Sequence, residues 1–324
     1  MVDPLLQIIY LGIDMEKRTP ADSATASKIA PASPSAGSEA ENARGATTGV
    51  IGAGQMGSGI GQVFASAGFM VKIHDISGNI FENSRNKISD SLKKLESKNL
   101  LDMSAAQIQS LISYHADINE LVGSDIFIES AFEDFSIKKD VFRKLSKILT
   151  STSYVGTNTS SYSITALSKM VPWPEKLIGF HFMNPPPIIS LIEIIRGLYT
   201  SDATHSFFLK LAHTLKKTPI VSRNSPGFVL NRILIPMINE AIYALYEGIS
   251  TAEQIDEALK LGANHPIGPL ALADLIGLDT VHAIMQTLRK ELGDEKYQPC
   301  PLLENYVLRG RLGKKTKKGF YDYS

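Results

Sequence analysis

The pattern of apolar and polar residues changes character at Gly49 and again near Arg223. Between these points, short β-branched and apolar runs alternate with longer amphipathic runs. The short runs predict strands in the stretches GVIGAG, MVKIHD, SDIFIESA, SYVGTNTS, KLIGFHF and ISLIEII. The longer runs, such as FENSRNKISDSLKKLESKNL and IKKDVFRKLSKIL, predict helices. This alternation is typical of an α/β fold, in which helices cover a mostly parallel sheet.

After Arg223 the pattern is helical throughout. The stretch NSPGFVLNRILIPMINEAIYALYEG predicts a helix that Ser225 caps, that has Pro226 at its first position and that ends at Gly248. Ser250 has the spacing of an N-cap in a capping box for the next helix. This part of the chain is therefore expected to form an all-α domain. Its first helix has apolar residues at positions expected to be exposed, which suggests a face buried against a second copy of the chain: Ile242, Leu245 and Tyr246.

The first segment, residues 1–47, has no apolar periodicity over most of its length. It is crowded with Ala, Ser, Pro and Thr, which predicts a disordered extension. Its six acidic residues argue against a transit peptide, since transit peptides are poor in acids. The compartment, cytoplasm or mitochondrial matrix, stays open on this evidence.

Composition narrows the possible functions. The chain has 33 basic and 33 acidic residues among 324, so it lacks the charge expected of a nucleic-acid or membrane-surface binder. The single cysteine, Cys300, excludes an internal disulfide, and no two of the seven histidines have the spacing of a helical metal site. No apolar run approaches the roughly 18 residues of a transmembrane helix.

A glycine-rich loop follows the first predicted strand and opens a helix. Its residues are Gly52, Ala53, Gly54, Gln55, Met56 and Gly57. In a dinucleotide-binding loop the first glycine permits the tight turn, the second lets the backbone approach a pyrophosphate, and the third lets helix and strand pack closely. The free N–H groups at the helix start can then bind the anion.

The predicted strand MVKIHD ends on Asp75, eighteen residues after the last glycine of the loop. A carboxylate there can accept hydrogen bonds from both ribose hydroxyls and would repel a 2′-phosphate, which favours NAD over NADP. We therefore expect a Rossmann-type NAD-binding domain at 48–223 and a helical domain at 224–324. Glu133 and Lys138 follow the strand SDIFIESA, where the nicotinamide ribose would lie, although a solvated charge pair explains this spacing equally well.

His181 differs from the other histidines because it ends an apolar strand and precedes Asn184 and a proline turn that sends the chain back. If the two arms pair, Glu193 on the returning arm can approach the imidazole. The carboxylate would then fix the tautomer and favour the protonated ring, which brings the pKa of His181 into the range useful for proton transfer at neutral pH. Hydride removal from an alcohol needs such a base to accept the hydroxyl proton. A half-buried histidine beside an unrelated glutamate remains the alternative.

Polar residues in two further stretches are candidates for substrate contacts. The turn TNTSS, which contains Asn158 and Ser160, could hydrogen-bond a substrate oxygen or cap the next helix. Asn231 shares an apolar helical stripe with Phe228 and Ile235, so we expect it to be buried and hydrogen-bonded.

Taken together, the motifs GVIGAGQMGSGIGQVFASAG, TNTSSYSIT, GFHFMNPPP, NSPGFVLNRIL, GPLALADLIGLD and RLGKKTKKGFYDY resemble the L-3-hydroxyacyl-CoA dehydrogenase family. The resemblance covers residues 48–323 in order. It implies reversible, NAD-dependent oxidation of an L-3-hydroxyacyl-CoA to the 3-ketoacyl-CoA, in fatty-acid β-oxidation or short-chain acyl metabolism. It also implies a homodimer formed through the helical domain.

Individual roles follow from the same resemblance. It implies that His181 is the base, that Glu193 orients it, and that Ser160 and Asn231 bind near the substrate oxygen. Its remaining implied contacts are Glu133, Lys138 and Asn184 with the cofactor, and Ser91 and Lys98 with the CoA portion.

Two departures concern substrate choice. Ser190 replaces a lysine common in the family, and NPPP replaces NPVP. A double proline is similar to relatives that act on free hydroxy acids, such as L-gulonate dehydrogenase and the related lens crystallin. That activity is the first alternative, and a non-catalytic dinucleotide-binding protein is the second.

Overall fold

The computed structural model describes residues 45–324, which divide into two compact units, 45–229 and 230–324. The disordered extension expected at residues 1–47 lies outside the described residues except for its last three positions. Of these, Thr47 begins the first strand.

The first unit alternates strands with helices along the chain. The strands are β1 (Thr47–Ile51), β2 (Met70–His74), β3 (Ile112–His115), β4 (Ile126–Glu129), β5 (Tyr154–Thr157), β6 (Leu177–Phe182), β7 (Leu191–Arg196) and β8 (Thr218–Arg223). The helices are α1 (Gln55–Ser66), α2 (Asn79–Glu96), α3 (Ala105–Ser110), α4 (Phe135–Leu145), α5 (Ile164–Ser168) and α6 (Asp202–Thr214). Short 3₁₀ turns occur at Ile118–Leu121 and Pro174–Lys176.

All eight strands form one sheet in the order β3-β2-β1-β4-β5-β6-β7-β8. The first six strands in this order are parallel to one another, β7 is antiparallel to β6, and β8 is parallel to β7. The mostly parallel, Rossmann-type sheet predicted from the sequence is confirmed. Strands β3 and β8 were not predicted, because both are partly exposed edge strands without a continuous apolar run.

Apolar residues are buried on both faces of the sheet. Along β1, Val50 belongs to the apolar cluster on one face and Ile51 to the cluster on the other; Phe127 and Ile128 divide in the same way on β4. Because both faces are covered, central strands have apolar runs without a polar alternation. This explains why their positions could be predicted.

The second unit is helical, as predicted. Its helices are α7 (Leu230–Tyr246), α8 (Ala252–Gly262), α9 (Pro269–Ile276), α10 (Leu278–Leu292) and α11 (Pro301–Leu308), with 3₁₀ turns at Glu295–Tyr297 and Lys314–Thr316. Its core includes Ile235, Ile238 and Ile242, so the expectation that Ile242 lies on an outer face is wrong. Leu245 packs against this core and Tyr246 is exposed. Within 45–324, no helix combines the length and the apolar character needed to cross a bilayer.

Two predicted helix starts in this region are wrong. The helix expected to begin at Pro226, with Ser225 as its cap, begins at Leu230 instead, because Gly227 and Phe228 have positive φ values of 77° and 50° and interrupt the helical backbone.

The second error concerns α8, whose N-cap is Thr251 rather than Ser250. The Thr251 side chain accepts the backbone N–H of Gln254. Ser250 lies one residue earlier, and its hydroxyl donates to Gln254 Oε1 at 2.6 Å. The predicted end of α7 at Gly248 agrees with the structure to within two residues, and this glycine has φ of 74°.

Candidate active site

The loop between β1 and α1 has the backbone shape that a dinucleotide needs. Gly52 has φ of 105°, and a Cβ there would lie 2.4 Å from the carbonyl oxygen of Ser130. A Cβ on Gly57 would lie 1.8 Å from the Gly52 oxygen, whereas one on Gly54 would meet nothing within 4 Å. The open side at Gly54 fits a pyrophosphate, and no side chain caps the N-terminus of α1.

Asp75 follows β2 and is fixed against this loop. Its Oδ2 accepts the backbone N–H of Ala53 at 2.9 Å, and its Oδ1 accepts that of Ser77 at 3.1 Å. The carboxylate is half-buried, so it keeps a solvent-facing side. This position fits an acid that binds a ribose beside the pyrophosphate.

The two residues after Gly54 have different surroundings. Met56 is half-buried and packs against the apolar core of the first unit. Gln55 is exposed, and its Nε2 donates to Asn184 Oδ1 at 2.9 Å. This hydrogen bond links the glycine loop to the segment that follows His181, so the structure brings the cofactor candidates Gln55 and Asn184 together.

His181 and Glu193 face each other across the antiparallel pair β6–β7, where they are register partners. The His181 Nδ1–H donates to Glu193 Oε2 at 2.9 Å, and Glu193 Oε1 accepts the N–H of Val229 at 2.9 Å. The side chains are 9% and 1% exposed. Among residues 45–324, His181 Nε2 has no hydrogen-bond partner, so this nitrogen is the one available to a substrate.

Ser160 lies in a turn that one carboxylate organises. Glu133 Oε1 accepts the backbone N–H groups of Ser160 and Ser161, both at 3.0 Å, and the hydroxyls of Thr159 at 2.6 Å and Ser161 at 2.7 Å. The Ser160 hydroxyl is 3.5 Å from the same oxygen. Five contacts to one oxygen fix the backbone of the turn while leaving the Ser160 hydroxyl only weakly bound.

The remaining residues of the TNTSS turn do not cap α5, whose N-cap is Ser163. Asn158 instead uses Oδ1 to accept the N–H of Phe182, at 2.8 Å. This bond joins the end of β5 to the residue after His181. Of the two interpretations of this turn, helix capping is therefore wrong.

Lys138 is buried rather than solvated, with 1% of its side chain exposed. Its Nζ is 2.8 Å from Glu129 Oε1 and 3.1 Å from Glu133 Oε2, and Thr157 donates to Glu129 Oε2 at 2.6 Å. Burial works against both charges, yet Lys138 holds the pKa of Glu133 below its usual value and the two carboxylates hold the pKa of Lys138 above its own. Glu133 and Lys138 are therefore ionised at neutral pH.

Glu129 was missed in the sequence, although the signal was present. It is the last residue of β4, at the carboxyl edge of the sheet where ligands bind in open α/β folds. It is 0% exposed. An acid that ends an apolar strand was therefore a candidate for this site.

Three further candidates are Ser91, Lys98 and Asn231. Ser91 is half-buried on α2, whereas Lys98 is exposed and lies two residues beyond the end of that helix, not on it. Asn231 belongs to the second unit, at the second position of α7. It is half-buried, not buried as expected, and Phe228 does not share its helical stripe because Phe228 precedes the helix.

The fold, the glycine loop with Asp75 and the paired histidine and glutamate define the class: an NAD-dependent dehydrogenase. The family model for the 3-hydroxyacyl-CoA dehydrogenase NAD binding domain matches residues 47–225, and the model for the 3-hydroxyacyl-CoA dehydrogenase C-terminal domain matches 227–323. The chain belongs to the 3-hydroxyacyl-CoA dehydrogenase family.

Relatives of known name agree with this assignment. A 3-hydroxybutyryl-CoA dehydrogenase of Bradyrhizobium diazoefficiens is 48% identical over 276 residues, which is 85% of this chain and 94% of the relative. The mitochondrial hydroxyacyl-coenzyme A dehydrogenase of Mus musculus is 35% identical over 85% of this chain and 90% of its own length. The crystal structure of an (S)-3-hydroxybutyryl-CoA dehydrogenase from Ralstonia eutropha superposes with a TM-score of 0.83 at 44% identity, covering 86% of this chain and 99% of that one.

Proposed function

We propose that the protein oxidises L-3-hydroxyacyl-CoA reversibly to 3-ketoacyl-CoA with NAD and that short-chain esters such as 3-hydroxybutyryl-CoA are its substrates. The observation that carries the chemistry is the 2.9 Å bond between His181 Nδ1 and Glu193 Oε2. The names of its bacterial relatives support the short acyl chain.

In the oxidation, His181 Nε2 accepts the proton of the substrate 3-hydroxyl. Glu193 holds the proton on Nδ1, which leaves Nε2 as the basic nitrogen, and its negative charge stabilises the imidazolium that forms. Bound NAD would supply the acceptor for the hydride that leaves C3 of the substrate. In the reverse direction, His181 returns its proton to the carbonyl oxygen.

The surrounding polar residues bind the reactants. Ser160 donates its weakly held hydroxyl to the substrate oxygen, and the family resemblance implies that Asn231 also binds the substrate. Cofactor contacts come from the glycine loop, Asp75 and Asn184, and from Glu133 together with Lys138. Ser91 and Lys98 contact the CoA portion, where an ammonium group suits a phosphate-bearing ligand.

The homodimer implied by the family resemblance forms through the helical unit. Its support is a set of large apolar side chains that are more than half exposed in a single chain: Ile233, Tyr246, Ile249, Leu261 and Leu308. Exposed apolar surface of this kind is typical of protein interfaces.

The activity is tested by following NADH absorbance after addition of acetoacetyl-CoA. We expect NADH oxidation with a kcat in the common enzyme range of about 1 to 1,000 s⁻¹. NAD reduction with L-gulonate, together with no turnover of acetoacetyl-CoA, would overturn the proposal in favour of a free hydroxy acid. A ladder of acyl-CoA lengths tests the preference for short chains.

A further inference from the structure

Lys217 is a buried lysine that precedes β8 and has no place in the chemistry described above. It is 8% exposed. Its Nζ donates to the backbone oxygens of Pro186 at 2.6 Å and Ile189 at 2.8 Å. Both acceptors belong to residues 183–190, the β6–β7 connection, which joins the strand of His181 to the strand of Glu193.

The β6–β7 connection needs donors from outside, because its three consecutive prolines supply no N–H groups. Within the connection, Pro185 oxygen accepts the N–H groups of Ile188 and Ile189, both at 3.0 Å. The Pro186 and Ile189 oxygens are satisfied by Lys217. A buried carbonyl left without a donor is destabilising, so the two hydrogen bonds from Lys217 favour this conformation of the connection.

The connection also contacts the cofactor side of the site. Gln55 of α1 donates to its Asn184, and a Cβ on Gly59 of the same helix would lie 2.8 Å from Cδ of Pro186. At its far end, Ser190 oxygen accepts the N–H of Thr218 at 2.7 Å, one residue after Lys217. A shift of the connection would therefore move Asn184 and the two strand ends that carry His181 and Glu193.

Burial of this ammonium is unfavourable in itself. No carboxylate within residues 45–324 forms an ion pair with Lys217. Burial alone lowers the pKa of Lys217 to about 8. An apolar side chain of similar length would avoid this cost, but it could not donate hydrogen bonds to the two carbonyls.

We propose that Lys217 is a positioning residue for the dehydrogenase reaction: its ammonium holds the β6–β7 connection so that His181, Glu193 and Asn184 keep their places. The catalytic part of this inference rests on the proposed function, whereas the structural part does not.

The structural part is tested by hydrogen–deuterium exchange of peptides that cover residues 183–192. K217M removes the donors and keeps the length of the side chain. K216M is the matched control, because Lys216 is the exposed neighbour, paired with Asp102 at the surface. We expect exchange over 183–192 to accelerate at least tenfold in K217M and to stay unchanged in K216M, with peptides of α1 unaffected. Equal exchange in K217M and wild type would overturn the proposal.

The catalytic part is tested by kcat and by the dissociation constant of NADH, with acetoacetyl-CoA as the substrate. We expect K217M to lower kcat at least tenfold, since a displacement near 1 Å can cost about 100-fold in rate. NADH affinity should fall by less than about threefold, because Asn184 is one of several proposed cofactor contacts and the glycine loop and Asp75 stay in place. A folded K217M with wild-type kcat, or with kcat and NADH affinity lost together, contradicts a positioning role. If K217M does not fold, K217Q carries both measurements. Its amide keeps two N–H donors on a neutral chain, so we expect exchange over 183–192 and kcat to stay within tenfold of the wild type, and a larger change in either would contradict hydrogen-bond donation as the role of Lys217. An inactive wild type with fast exchange in K217M would refute the proposed substrate and leave the structural part intact.

Discussion

The buried ion pairs of Lys138 with Glu129 and Glu133 are expected to contribute to the stability of the fold. Replacement of Lys138 by Met leaves Glu129, which is 0% exposed, without its cation. Loss of one partner of a buried ion pair typically costs about 3 to 5 kcal/mol. We expect K138M to lower the free energy of unfolding in urea by about that amount.

The control for this variant is K139M, which removes the same charge one residue later on the exposed side of α4. Surface substitutions of this kind usually change stability by less than about 0.5 kcal/mol. If K138M and K139M unfold at the same urea concentration, these ion pairs do not stabilise the fold.

The lowered pKa of Lys217 predicts that the stability of the protein depends on pH. This pKa is about 8 in the folded protein, against about 10.4 in an unfolded chain. Between these values the unfolded chain binds a proton that the native protein has lost, so the free energy of unfolding contributed by Lys217 rises with pH. K217M lacks this contribution, and other groups titrate equally in both proteins.

We therefore expect the stability of the wild type relative to K217M to increase by up to about 3 kcal/mol between pH 7 and pH 10.5. Urea unfolding of both proteins across this range measures the difference. A difference that stays constant or falls with pH would show that Lys217 has an ordinary pKa in the folded protein.

At the scale of elements, two substitutions in the glycine loop should have different effects, one on cofactor binding and the other on stability. A Cβ on Gly54 meets no atom within 4 Å and its φ is −68°, so G54A should fold normally. The methyl group would occupy the space proposed for the pyrophosphate, and we expect NADH affinity to fall at least tenfold. G57A should instead lose stability, because its Cβ would lie 1.8 Å from the Gly52 oxygen.

Thermal unfolding and NADH fluorescence titration distinguish the two variants. G262A is the control, since Gly262 ends α8 in the second unit and a Cβ there also meets nothing within 4 Å. Wild-type NADH affinity in G54A would show that the open side of the loop does not face the cofactor.

The elements also show what the sequence could predict. Central strands were predictable because both of their faces are buried, and β6 and β7 could be placed with His181 and Glu193 at facing ends. The start of α7 could not be predicted. It depends on the positive φ of Phe228, and phenylalanine rarely adopts such a φ, so its presence in the sequence does not indicate one. Burial of Lys138, which lies on α4, was equally hidden, since it depends on Glu129 of β4 and Thr157 of β5.

At the scale of the whole molecule, the proposed homodimer predicts the mass in solution. Sedimentation equilibrium should give twice the mass of one chain at micromolar concentration. The physical reason is the exposed apolar surface of the helical unit, which includes Leu261 at 79% and Leu308 at 87% exposure. A single-chain mass at these concentrations would contradict the dimer without affecting the proposed chemistry.

The pairing of His181 with Glu193 unites the sheet, the site and the reaction, and single-turnover hydride transfer tests it most directly. Enzyme saturated with NADH is mixed with acetoacetyl-CoA, and wild type is compared with H181Q and E193Q. We expect both variants to bind NADH as the wild type does and to transfer hydride about 100 to 10,000 times more slowly, the usual contribution of a positioned acid or base. Transfer within tenfold of the wild-type rate in either variant would contradict the assignment of proton transfer to this pair.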